Sequence, residues 1–136
     1  MLVSRPLAQG VRASGSCPAG IAVGDLVCVV GGLGIGNVYN VDLADPRNYE
    51  RMPVVAVVLS KPTTTTCLIQ FRDEVRGLYS GLTTGKVYFV GNNGRPSLTP
   101  PTAGVGGKAY VQSIGVAVDP EVLRLEPLKN MVTRCA

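Results

Sequence analysis

The chain has 136 residues, a formal net charge of +4 and no histidine, and only 16 % of its residues are charged. Its length suits one domain. Its cations are scattered singly among few aromatic residues, which argues against a nucleic-acid interface, since such interfaces cluster cations beside stacking aromatics. So few charges cover a small domain poorly with polar groups, and this favours a surface partly covered by another protein over a soluble monomer with a surface rich in Thr, Ser and Gly.

Residues 1–20 are predicted to form an N-terminal arm. They lack sustained periodicity and contain Pro6, Pro18 and three glycines. A segment of this kind is either disordered or ordered by lying on a neighbour. Its apolar residues favour ordering on a neighbouring subunit, because they give the arm something to bury.

The first strand is predicted within residues 21–30, where a Val-Gly-Asp turn leads into an apolar run. A run of that kind is typical of a strand buried on both faces. The spaced glycines of residues 31–36 are similar to a dinucleotide-binding fingerprint, which needs a helix directly afterwards. Residues 38–42 alternate like a strand instead, so the sequence predicts a glycine-rich hairpin here.

The middle of the chain predicts a loop and two further strands. Residues 42–53 are predicted as a loop with one helical turn after Asp45. Residues 54–59 form the most hydrophobic run and predict a central strand that Lys61-Pro62 ends. Another strand is predicted at residues 67–71.

Residues 78–127 contain a complete set of strand and turn patterns. Turns are predicted on both sides of a strand at residues 86–90, and a longer strand is predicted at 109–118. Gly115 inside that longer strand predicts a bend or bulge that lets a barrel close. Residues 122–127 alternate apolar and polar, and a proline ends them.

These patterns predict an all-β fold, because no segment keeps a helical period over three turns. We expect a small β-barrel or sandwich of about seven to nine short strands with extended N- and C-terminal arms. The predicted boundaries are residues 1–20 for the N-terminal arm, 21–127 for the β domain and 128–136 for the C-terminal arm.

The residue types argue against catalysis. Without histidine, the commonest general base and the commonest metal ligand are both missing. Asp73 and Glu74 are adjacent, and neighbouring residues of a strand point to opposite faces, so this pair would not converge. Residues 81–86 resemble a phosphate-binding loop, but Ser80 stands where the loop needs glycine and Val87 where it needs serine or threonine. We expect no enzyme activity, no cofactor and no metal.

The four cysteines lack metal-ligand spacing. Cys28 and Cys67 lie in apolar strand patterns and are expected to be small buried residues. Cys17 and Cys135 lie near the termini, and whether they pair depends on whether the termini meet. The start of the chain has no secretory signal pattern, and no apolar run approaches the roughly 18 residues of a membrane span. We therefore expect synthesis in a reducing cytoplasm, free thiols and no membrane association.

Four runs in the second half of the chain resemble a known class of proteins. They are Gly-Leu-Thr-Thr-Gly-Lys-Val-Tyr-Phe-Val at 81–90, Asn-Gly-Arg-Pro-Ser-Leu-Thr-Pro-Pro at 93–101, Tyr-Val-Gln-Ser-Ile-Gly-Val-Ala-Val at 110–118 and Leu-Arg-Leu-Glu-Pro at 123–127. Their order resembles a pattern of structural proteins of tailed bacteriophages: capsid decoration (cement) proteins, head fibres and fibre-base modules. Residues 22–27 are similar to the first strand of such modules.

The resemblance implies a decoration protein on the capsid surface of the virion, made in the host cytoplasm. It implies the major capsid protein and other copies of the chain, as a homotrimer across capsomer boundaries, as partners. The contacts are expected in the two arms, through Leu2, Val3, Arg5, Leu7, Arg12, Met131, Val132 and Arg134. The alternatives are a fibre or tail module of the virion, and a small barrel that binds nucleic acid or carbohydrate.

Overall fold

The structure is a computed structural model that describes residues 12–31, 38–102 and 107–127, and the backbone of 132–135. These residues contain twelve β-strands and one short 3₁₀ helix, at Tyr49–Arg51. The strands are β1 Arg12–Ser16, β2 Leu26–Val29, β3 Tyr39–Leu43, β4 Ala56–Thr63, β5 Thr66–Gln70, β6 Asp73–Arg76, β7 Val87–Val90, β8 Pro96–Ser97, β9 Lys108–Val111, β10 Ser113–Asp119, β11 Val122–Leu125 and β12 Val132–Cys135.

The first five strands form a closed barrel in the order β1-β3-β2-β4-β5. β1 completes the closure, because it pairs in parallel with β3 and antiparallel with β5. The other neighbours in the barrel are antiparallel. Closure leaves none of the five strands with an open edge.

The later strands form a second sheet in the order β6-β11-β10-β7-β8, and β12 pairs with β9 in a separate two-stranded ribbon. The register between β10 and β7 shifts between Ser113 and Gly115. The predicted irregularity at Gly115 is thus confirmed, but it lies in the second sheet and not in the closed barrel. There it lets β11 approach β10 closely.

Two hydrophobic cores follow from the alternation of side chains along the barrel strands. In β4, Ala56 and Val58 face the barrel interior, whereas Val57 faces the second sheet. Leu26 and Val27 of β2 divide in the same way. Neighbouring residues of a strand point to opposite faces, so both faces of β4 are buried, as the apolar run predicted. The second core joins the barrel to β6, β7, β10 and β11.

The all-β prediction is confirmed, with a barrel and a second sheet. The described residues hold more strands than the seven to nine expected. Gln112 divides the predicted strand 109–118, β6 and β8 lie outside the predicted strands, and the predicted arms contribute β1 and β12. β4 also continues through Lys61-Pro62 to Thr63. Pro62 is tolerated because the β4–β5 register shifts there and the described β2 pairs with β4 only at Ala56 and Val57.

The structure also differs from the prediction in both arms. Residues 12–16, assigned to the N-terminal arm, form the barrel strand β1. Residues 132–135, assigned to the C-terminal arm, form β12 and pair with β9. Strand pairing supplied by distant parts of the chain decides both placements, and the local sequence carries no sign of it.

Candidate interaction surfaces

The residues predicted to make contacts are only partly within the described structure. Arg12 is exposed at the start of β1, and Val132 and Arg134 lie in β12, opposite Val111 and Ala109. The remaining predicted contact residues, Leu2, Val3, Arg5, Leu7 and Met131, lie outside the described residues. The structure therefore brings Arg12 onto the barrel and places Val132 and Arg134 on the ribbon.

Gln70 connects Arg12 to the second sheet. Its buried side-chain amide accepts a hydrogen bond from Arg12 Nε at 3.1 Å. The same amide donates to the backbone oxygens of Arg72 at 2.7 Å and Glu74 at 3.1 Å. Every polar atom of this buried group thus has a partner, as burial requires. Gln70 therefore links the Arg12 side chain at the start of β1 to the backbone oxygens of Arg72 and Glu74 at the start of β6.

β6 forms an open edge of the second sheet in the described residues. The backbone N–H of Gly77 donates to the Glu121 oxygen at 3.0 Å, in line with the β6–β11 ladder. The backbone N–H and C=O groups of successive residues in a strand alternate in direction. Those of Asp73 and Val75 therefore point towards β11. Glu74 and Arg76 consequently direct their backbone N–H and C=O groups away from the sheet. Their side chains form an ion pair of 2.7 Å, in which the Arg76 side chain is 71 % exposed.

A cavity lies at each end of β6. One, of about 400 Å³, is lined by Arg72, Asp73, Arg124, Leu125 and Glu126. The other, of about 410 Å³, is lined by Arg76, Gly77, Val118, Asp119, Glu121 and Val122. Both are lined by charged side chains and open beside the edge, so they can receive charged side chains of a bound protein.

The second sheet has an apolar outer face, made of Val87, Phe89, Val116 and Val118. Val87 lies opposite Val116 on the neighbouring strand, and Val118 follows two residues later on the same face. Val87 is 43 % exposed and Val118 is 41 % exposed. The opposite face of this sheet is buried against the barrel. A contiguous apolar sheet face of this kind is typical of a protein-binding surface.

An ion pair and a phenol hold the second sheet to the barrel. Arg95 Nε donates to the Asp25 carboxylate at 3.1 Å, and Arg95 Nη2 donates to the Val23 oxygen at 2.9 Å. The Tyr79 hydroxyl donates to the Gly24 oxygen at 2.6 Å. Burial raises the pKa of Tyr79; the Arg95 charge opposes this shift and the Asp25 charge adds to it. Because these contacts join the turn at residues 22–25 to the second sheet, they fix the orientation of the outer face.

The three cysteines whose side chains are described are buried and free. Burial, with a smaller contribution from a hydrogen bond with Cys17, raises the pKa of Cys67 to about 12. Burial also raises the pKa of Cys28, with a smaller contribution from the Asp42 charge. The expected burial of Cys28 and Cys67 is thus confirmed. Cys17 is a free thiol in this structure, and the side chain of Cys135 lies outside the described residues.

Neither a metal cluster nor a membrane-spanning helix is found in the part of the chain that the structure describes. No group of three or more cysteine, aspartate and glutamate side chains there lies close enough to hold a metal ion. No helix there is long and apolar enough to cross a membrane.

Comparison with known proteins gives no relative for this chain. No family model, no curated protein and no solved structure matches it.

Sequence reasoning missed both surfaces on the second sheet. In the strand at 86–90, Val87, Tyr88, Phe89 and Val90 are all apolar, so no alternation separates the exposed residues from the buried ones. The β6 sequence Asp-Glu-Val-Arg has a single apolar residue, Val75, whose burial against β11 and the barrel gives no local signal. The indication that the sequence offers for the outer face is that residues 87–90 contain more apolar side chains than one buried face of a strand needs.

Proposed function

We propose that this chain is a capsid decoration protein of a tailed bacteriophage, which binds the outer surface of the assembled head and stabilises it. The outer face carries the proposal, because Val87 and Val118, each exposed by about two fifths, lie on the same apolar face of a chain with few charges. Burial of such a face stabilises a complex by roughly 25 cal/mol per Å² of apolar surface removed from water.

The position of the resemblance supports the same proposal. The four runs that resemble virion structural proteins lie in β7, β8, β10, β11 and their connections, which build most of the second sheet. The resemblance and the exposed apolar face therefore concern the same part of the fold. In the proposal, this face and the termini contact the major capsid protein, with three copies of the chain grouped across a capsomer boundary.

Many weak contacts at once suit a protein that stabilises a shell. When one contact is made, the next becomes intramolecular and gains from a high effective concentration. Decoration therefore needs no catalytic group and no deep pocket. It needs a rigid body, and the Asp25–Arg95 ion pair together with the continuous core supplies one.

The experiment is fractionation of purified virions into heads and tails, followed by mass-spectrometric quantification of this chain in each fraction. The proposal predicts that the chain accompanies the heads in a fixed ratio to the major capsid protein. A fixed ratio to tail proteins would instead support a fibre or tail module. Absence from both fractions would reject the virion proposal and leave the small barrel binding module, which a salt-sensitive gel shift or glycan binding would test.

A further inference from the structure

We propose that the free edge of β6 pairs with the β6 edge of a second copy of this chain, antiparallel and two-fold symmetric about Val75. Edge strands with unpaired backbone groups are templates for pairing with another chain. In β6, the outward groups are the N–H of Glu74 and both backbone groups of Arg76. The Glu74 oxygen also points outward; it accepts from Gln70 at 3.1 Å and retains a second lone pair.

The charges on β6 select one register. A two-fold axis at Val75 places Glu74 opposite Arg76 of the second copy, and the symmetric pair repeats this on the other side. A shift of one residue at the axis, in either direction, keeps the backbone hydrogen bonding possible but places Glu74 opposite Glu74, or Arg76 opposite Arg76. Unlike charges directly opposite each other across a ladder stabilise the pair, and like charges destabilise it.

The cavities at the two ends of β6 meet in the same register. Asp73, which lines one cavity, lies opposite Gly77 of the second copy, which lines the other. The first cavity carries the cations Arg72 and Arg124 and the carboxylates of Asp73 and Glu126. The second carries the carboxylates of Asp119 and Glu121 and the cation Arg76. Both cavities therefore offer groups of each charge where they meet. The two-fold arrangement uses both cavities of both copies.

The opposite edge of the second sheet is unsuited to such pairing. β8 has two residues, and Pro96, the first of them, has no backbone N–H to donate. β6 has four residues and no proline. Of the two edges that the described strands give the second sheet, β6 is therefore the one that can accept a strand along its length.

This inference goes beyond the proposed function and holds whether or not the chain binds a capsid. It predicts that the native mass is twice the mass that the chain would have without the β6 contact. If the chain also forms trimers, three β6 contacts that join the same two trimers keep the factor of two.

The test uses two charge variants of the full chain, Glu74→Arg and Arg76→Glu, and a measurement of native mass by sedimentation velocity. Each variant alone places like charges opposite each other at both symmetric positions, and we expect association roughly ten- to a hundredfold weaker than in the unmodified chain. At equal concentration, each variant is expected to show half the native mass of the unmodified chain.

Mixing the two variants supplies the decisive control. One copy then carries two arginines on β6 and the other two glutamates, so every opposing pair is again of unlike charge, and we expect the full mass to return. Its return also shows that both variants are folded. The double variant Glu74→Arg/Arg76→Glu should keep the full mass alone. The proposal is overturned if the unmodified chain is a monomer, if the single variants keep its mass, or if the mixture does not regain it.

Discussion

Among the described glycines, Gly115 has the closest backbone neighbour to an added Cβ, and its replacement by alanine tests the packing of the second sheet. Gly115 has φ +157° and lies opposite Leu125 of β11. A Cβ at this position would lie 2.1 Å from the Arg124 oxygen, 3.0 Å from the Arg124 carbonyl carbon and 3.2 Å from the Leu125 Cα. All three are backbone atoms, so no rotation of a side chain can relieve the contact.

The size of the effect follows from the displacement that the methyl group requires. A carbon–oxygen contact needs about 3.3 Å, so β11 must move from β10 by about 1 Å. Leu123 and Leu125 of β11 are fully buried in the core that joins the sheet to the barrel. Overpacking of a core costs about 1–3 kcal/mol, and the strained backbone of a non-glycine residue adds about 1–3 kcal/mol. We expect Gly115→Ala to lower the free energy of unfolding by about 4 kcal/mol.

The measurement is urea denaturation followed by circular dichroism, with two matched glycine variants. Gly81→Ala has φ +71° and open space around the added methyl group, so it should cost about 1 kcal/mol. Gly20→Ala has neither feature and should change little. In thermal unfolding, the Tm of Gly115→Ala should lie about 15 °C below that of the unmodified chain. The reasoning is refuted if Gly115→Ala costs no more than Gly81→Ala.

Three further predictions concern buried polar groups. Gln112 binds the backbone N–H of Val54 at 2.7 Å and its C=O at 2.9 Å. Gln112→Leu leaves both groups without this partner and should lower the free energy of unfolding by about 2–4 kcal/mol in urea denaturation. An unchanged free energy would contradict this. Arg95→Met leaves the buried Asp25 carboxylate without its ion-pair partner and should lower the free energy of unfolding by about 1–3 kcal/mol. In a double-mutant cycle with Asp25→Asn, the two effects should be coupled, and strict additivity would contradict this. The Cys67 thiol should resist iodoacetamide in the native protein at pH 8, by mass spectrometry. Folding raises the pKa of this thiol from 9.0 to about 12. The stability that the protonated thiol contributes is therefore full below pH 9 and is lost as the pH rises to about 12. Equal labelling of native and unfolded protein would contradict the burial of Cys67.

The sequence predicted the elements whose burial is visible locally. Residues 54–59 predicted a central strand because a strand buried on both faces is apolar at every position. Gly115 predicted a bulge because an isolated glycine in a strand pattern marks an irregularity. The structure gives the physical reason for each: β4 separates two cores, and β11 approaches Gly115 too closely for a side chain.

Closure of the barrel lay beyond sequence reasoning. The sequence of β1 is Arg-Ala-Ser-Gly-Ser, in which alanine has the only apolar side chain. Nothing local predicts that this strand joins β3 to β5. Gly15 faces Cys67, whose sulfur would lie 2.9 Å from an added Cβ. The space for β1 is therefore set by β5, more than fifty residues away in sequence, and only the folded chain defines it.

The candidate surfaces were predictable in kind but not in position. The low charge predicted a partner-covered surface, and the structure leaves apolar residues of 86–90 and 116–118, Val87 and Val118 among them, exposed. Which of these residues face the solvent depends on which face of the second sheet the barrel covers. That choice is made by long-range packing, which sequence alternation cannot express when both faces are apolar.

The most direct test of decoration is a cryo-electron microscopy map of the intact head. The account predicts density for the barrel and the second sheet on the outer capsid surface, with the outer face of Val87, Phe89, Val116 and Val118 turned towards the shell. A map in which the capsid subunits account for all the density of the head would contradict the account.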